Sequence, residues 1–312
     1  MANLPAVLIT VRFALYLDLM LAFGLPLFEL YTASASRNEG SAVASRLVLS
    51  ALSLAGAGQS ILGLLLIAAS MSDVPLFELD RGSVDGLLNG TAIGTVGKIR
   101  VVALLVAALL GFWPAARRRV QGALQSGIGA VALASLAWTG HGAADEGPRG
   151  LLHLTADIIH LLAAGVWGGA LAGLLLLLAQ NRIAGIDRTD RIALAHRALA
   201  GFAPVGTVAV ALIVVTGLVN SWFLIGFANI SSLASSLYGR LLILKLVVFA
   251  GMIGLAGLNR FKLTPAITAR GGALVAGAMR SIRRSVALEA SLALIVLGLV
   301  AWLGTLVPPA SS

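Results

Sequence analysis

Three of the four histidines in this 312-residue chain fall within twenty positions: His141, His153 and His160. Asp157 stands between the last two. Their surroundings are strongly apolar. Ionisable residues are costly to hold in such a stretch, so they mark a functional site. Imidazole with a carboxylate is transition-metal ligand chemistry. Such donors suit copper, zinc, iron and nickel, and copper(II) heads the divalent affinity order. The chain has no cysteine, which removes disulfides, thiolate metal sites and cysteine nucleophiles together. A proton relay and plain interhelical hydrogen bonding are the other uses of such a set.

The spacing adds geometry. At about 100° per residue, Asp157 lies roughly +40° from His153, and His160 roughly −20°. All three share a stripe about 60° wide that climbs about 10 Å along one helix. Asp157 can share an ion with either histidine, or fix a histidine tautomer through the second ring nitrogen. His141 lies just beyond the preceding apolar run, and a ten-residue turn could return it over His153. Trp138 sits where an interfacial aromatic is expected. Trp167 lies deeper, as packing or as a cation–π surface.

The elements that must position these residues are apolar spans. The chain is 59% hydrophobic and 11% charged, with a mean hydropathy of +0.97. Soluble domains carry about 25% charge. A spanning helix needs about 20 mostly apolar residues. The expectation is an all-α, polytopic transmembrane helix bundle forming a single domain over 1–312. Eight spans are predicted: 4–29, 46–70, 91–113, 119–138, 151–179, 198–225, 240–259 and 285–307. The first apolar run lacks a basic leader and flows into a full span, so no cleaved signal is expected. Small residues, including 36 glycines, suit close helix packing, especially around Gly165, Gly168 and Gly169.

The net charge of +9 does not indicate nucleic acid, because the arginines collect in short loops between apolar runs. That placement suits a cytoplasmic face and anionic membrane lipid. Fifteen Lys and Arg residues fall in the loops after spans one, three, five and seven, and five on the opposite side. The positive-inside rule then predicts both termini outside. The outward loops carry Asp73, Glu78, Asp80, Asp85, Asp145 and Glu146, an acidic face that attracts cations.

Other polar residues lie within spans. Lys245 could snorkel outward, pair with Asp157, or repel cations from a wrong path. Glu289 could partner Arg284 or its neighbours, or act as an exit ligand. Asn220 and Asn259 read as interhelical hydrogen-bond donors.

At this point the residues fit a known pattern. The segment His153-Leu-Thr-Ala-Asp157-Ile-Ile-His160, continuing to Trp167-Gly-Gly, resembles the most characteristic stretch of the copper resistance protein D (CopD) family of bacterial inner-membrane proteins. Tyr238-Gly-Arg through Lys245, Gly257-Leu-Asn259-Arg260, Arg283-Arg284 through Glu289, and Leu303-Gly-Thr through Pro308 follow in the family's order. The first four spans match in outline. The resemblance implies copper as the ion handled across the inner membrane and met on the periplasmic side. It also implies a separate periplasmic copper carrier of the CopC type as partner.

The predicted mechanism is capture of copper by His141 and His153, then passage to Asp157 and His160. The chain lacks the P-loop pattern, so the driving force would be the metal gradient or membrane potential. No enzymatic activity is expected. Two rivals are a b-type haem electron carrier, for which histidines are scarce, and a membrane-embedded enzyme using a metal-bound water with Asp157 as base. A third is a proton-coupled sensor or assembly partner that moves nothing.

Overall fold

The computed structural model describes residues 4–32, 39–113, 118–140, 147–179, 188–226, 233–266 and 272–309. Among these there is no β-strand. The helices are α1 (Leu4–Thr32), α2 (Glu39–Met71), α3 (Arg81–Gly90), α4 (Ala92–Phe112), α5 (Arg118–Ala134), α6 (Gly147–Ala179), α7 (Arg188–Ile225), α8 (Leu237–Leu258), α9 (Thr264–Ala266) and α10 (Gly272–Leu303). Eight of them are long and apolar enough to cross a membrane, all except α3 and α9.

The centres of the predicted spans match these eight helices, but several ends differ. α7 begins ten residues before its apolar run, and α10 thirteen before. Hydropathy marks the part that crosses lipid, while backbone hydrogen bonding continues the helix into the arginine-rich ends. α8 starts earlier than expected because Ser236 caps it, its Oγ accepting from the Gly239 N–H at 3.1 Å. It ends in a π-helical turn, Asn259–Leu263, rather than stopping. Span four closes in a 3-10 turn, Ser135–Thr139.

The segment read as a plain outward loop, 71–90, contains α3. Asp80 caps that helix by accepting from the Ser83 N–H at 2.9 Å. Leu87 packs with Leu64 and Ala68 of α2, so the helix is stitched to the bundle.

α1 is the central post. It packs against α2, α5, α6, α7 and α10. On one side of it α2, α4 and α5 pack together. On the other α6 pairs with α7, and α8 with α10. Small residues make the α1–α6 crossing possible: Gly24 meets Gly165 and Gly169, and a Cβ on Gly169 would overlap the Gly24 backbone. One buried cluster joins Leu19, Phe23, Leu104 and Leu133 around α1. A second joins Phe28, Trp167, Leu174, Ile213, Ile282 and Val286. α7 and α8, though consecutive, share no extended packing.

Candidate metal-handling site within α6, α7 and α8

The stripe on α6 faces inward, toward α7. His153 is 2% exposed, and its ring stacks on Phe223 with centroids 4.6 Å apart and planes at 8°. One turn on, Asp157 Oδ1 accepts from Asn220 Nδ2 at 2.6 Å. His153 lies within electrostatic reach of Asp157, as do Lys245 and Tyr238 of α8. His160 Nδ1 sits 3.0 Å from Thr216 Oγ1. Thr216 spends its own proton on the Leu212 carbonyl at 2.6 Å. With its proton there, the hydroxyl oxygen can accept from the imidazole, and His160 also hydrogen-bonds the Ile213 backbone. Such bonds fix the orientation of the imidazole between α6 and α7.

Lys245 also lies within electrostatic reach of His160. Of its three readings, coupling to Asp157 is the one consistent with that electrostatic reach.

His141 lies outside the described residues. Gly140, immediately before it, abuts the site: a Cβ there would lie 3.4 Å from Asp157 Oδ2. Trp138 sits half-buried in the 3-10 turn that ends at Gly140.

Among the described residues, no three histidine or acidic side chains come together as a group able to hold a metal ion. The described part of the stripe is therefore spread along the helix. The physical reason is the climb of the helix. Each group engages its own partner on α7, at successive heights: Phe223, Asn220 and Thr216. What α6 presents is a series of donors rather than one chelate.

Trp167 and Glu289 form a separate pair. Trp167 Nε1 donates to Glu289 Oε1 at 2.8 Å, and Asn259 Nδ2 donates to Oε2 at 3.1 Å. Trp167 is thus more than packing, and Glu289 engages neutral donors where Arg284 was the expected partner. Asn220 and Asn259 do serve as interhelical donors.

Sequence reasoning missed Thr216 and Tyr238. A threonine 56 residues further on, in α7, carries no sign of its partner, and Tyr238 was noticed only within a family segment.

The fold and cluster define a multi-pass membrane protein with a line of imidazole and carboxylate groups inside the bundle. Comparison with known proteins then gives the family. Residues 1–151 match the family model described as "Copper resistance protein D-like, N-terminal domain", and residues 196–303 match "Copper resistance protein D". The chain is 43% identical over 304 residues to "Copper resistance protein D" of Pseudomonas syringae pv. tomato, covering 96% of each. It belongs to the copper resistance protein D family. It is 33% identical over 128 residues to "Copper transport protein CutJ" of Bacillus subtilis, covering 41% of this chain and 22% of that protein. It is 32% identical over 130 residues to "Inner membrane protein YebZ" of Escherichia coli, covering 42% of each. No solved structure matches.

The eight apolar spans and these relatives make it a multi-pass inner-membrane protein of a copper resistance and transport family. None of the three relatives bears the name of an enzyme. The first half, which resembled the family in outline, has a matching model of its own. Segment 152–195, which holds His153, Asp157 and His160, lies between the two matched regions.

Proposed function

We propose that the protein passes copper through the inner membrane along the α6 stripe. Copper enters at the end of the bundle bearing His141 and His153 and moves on to Asp157 and His160. Copper is the cargo here, not a resident cofactor. The observation that carries the reading is the inward stripe itself: His153, Asp157 and His160 each meet a residue of α7 inside the bundle. A row of separate weak donors suits passage better than a closed chelate, because an ion must leave each site as well as enter it.

The fifteen-to-five distribution of Lys and Arg supports an orientation with both termini outside and His153 near the periplasmic face. A periplasmic carrier of the CopC type would deliver the ion there. Lys245 balances Asp157 between ions, and an arriving copper ion takes over that role. The geometry favours this over a haem carrier: His153 and His160 lie on one face of one helix, about 10 Å apart along it, and cannot clasp a single haem from opposite sides.

The test is copper accumulation in cells. The double variant His153→Ala, His160→Ala, inserted at the wild-type level, should abolish the uptake that the wild-type protein confers. Unchanged accumulation would defeat the conduit reading.

A further inference from the structure

The stripe does not end at His160. Seven residues further, at a net rotation of about −20° and a rise of about 10 Å, the same face of α6 presents Trp167. There the polar line is taken up from another helix by Glu289 of α10. Glu289 is 2% exposed, and its two oxygens accept from Trp167 and Asn259, both neutral donors. A carboxylate in an apolar interior is expensive, and an amide would tie these three helices together without that cost.

A cavity of about 310 Å³ reaches this carboxylate. Trp167 and Glu289 lie on its inner wall. Phe202 and Val210 of α7 and Ile253 of α8 line its sides, where those two helices stand apart. Exposed Arg260 stands at its mouth, hydrogen-bonded to Thr207 and to the Ala203 carbonyl. The buried carboxylate and the open cavity are independent observations, and both lie at the arginine-rich end of the bundle.

We propose that Glu289, backed by Trp167 and Asn259, is a second cation station, from which copper leaves through this cavity. The inference rests on the reading that copper moves along α6. The carboxylate supplies the charge, and the Trp167 and Asn259 donors hold it in place.

The test uses the full-length protein in proteoliposomes with copper supplied on one side. Glu289→Gln is nearly isosteric. It can keep both helix contacts, since the Asn259 Oδ1 acceptor has no partner and can receive the new amide once Asn259 turns. The expected result is a wild-type thermal midpoint, less copper bound per chain in detergent with the α6 stripe still loaded, and flux reduced about tenfold or more, the effect of one lost station on the barrier. Glu289→Asp should recover part of the flux.

Trp167→Phe gives a second arm. It removes the indole donor and keeps the carboxylate that carries the charge, so most flux should persist, and flux lost as fully as in Glu289→Gln would overturn the carboxylate as the station. Wild-type flux in Glu289→Gln, with flux lost in the His153/His160 double variant, would overturn the exit station and leave the α6 reading standing. The reverse pattern would overturn the α6 reading and leave the station.

Discussion

His160 Nδ1 and Thr216 Oγ1 lie 3.0 Å apart across the α6–α7 interface, and the threonine proton is already committed to the Leu212 carbonyl. The hydroxyl therefore acts on the imidazole as an acceptor. Thr216→Val keeps the shape of the side chain and removes that acceptor. Copper affinity should fall by about 10- to 100-fold, the range found when a supporting partner of a ligating histidine is lost. Competition titration of the purified protein against a chelator measures it. An unchanged affinity would mean that His160 needs no orienting partner.

Lys245 competes with copper for Asp157 in this account. Lys245→Met removes the ammonium and keeps the apolar stem. Binding at the α6 stripe should tighten by about three- to tenfold, because the carboxylate loses its tethered counter-charge. The same titration reads the effect. Weaker binding would show that Lys245 props the site open instead.

The α1–α6 crossing depends on Gly24 and Gly169 meeting without side chains. Gly169→Ala places a methyl group into the Gly24 backbone. Destabilisation of about 1–3 kcal/mol is expected, the usual cost of overpacking. A thermal-unfolding series in detergent should show it, and should show little for Gly254→Ala, where a Cβ meets open space. Equal midpoints for the two variants would contradict the tight crossing.

Outside the spans, hydrogen bonds from Ser83 hold the Asp80 carboxyl below its ordinary value of 3.8. A depressed folded-state value means that the cap supports α3 fully above about 3.8 and is lost as the pH falls through the lower, folded value. Amide exchange in residues 81–90 should therefore show protection falling in acid, after correction for intrinsic rates. Asp80→Ala should show low protection at every pH. Protection that is flat with pH in the wild-type chain would contradict the cap.

The eight spans were legible because lipid imposes long apolar runs. Their ends were not, since α7 and α10 continue as helices through polar, arginine-rich sequence that hydropathy cannot follow. α3 was hidden by its mixed composition, although Asp80 and Ser83 stand at cap spacing. The inward stripe on α6 was legible from helical phase alone. What lay beyond reach was every partner supplied by another helix. Trp167 and Glu289 are 122 residues apart, and Thr216 lies 56 from His160. Such pairs are set by how helices dock, and a single sequence does not encode the docking in any local pattern. The same limit applies within the stripe: spacing gave a common face but not what α7 would place against each residue.

The most direct test is elemental analysis of the purified protein after copper loading and desalting, for the wild type and for His153→Ala, Asp157→Asn and His160→Ala. Copper should co-purify with the wild-type chain, with less retained by each variant and no haem Soret band in any. Equal copper in all four preparations, or none in the wild type under conditions where the protein confers copper uptake on cells, would contradict the claim that α6 carries the ion.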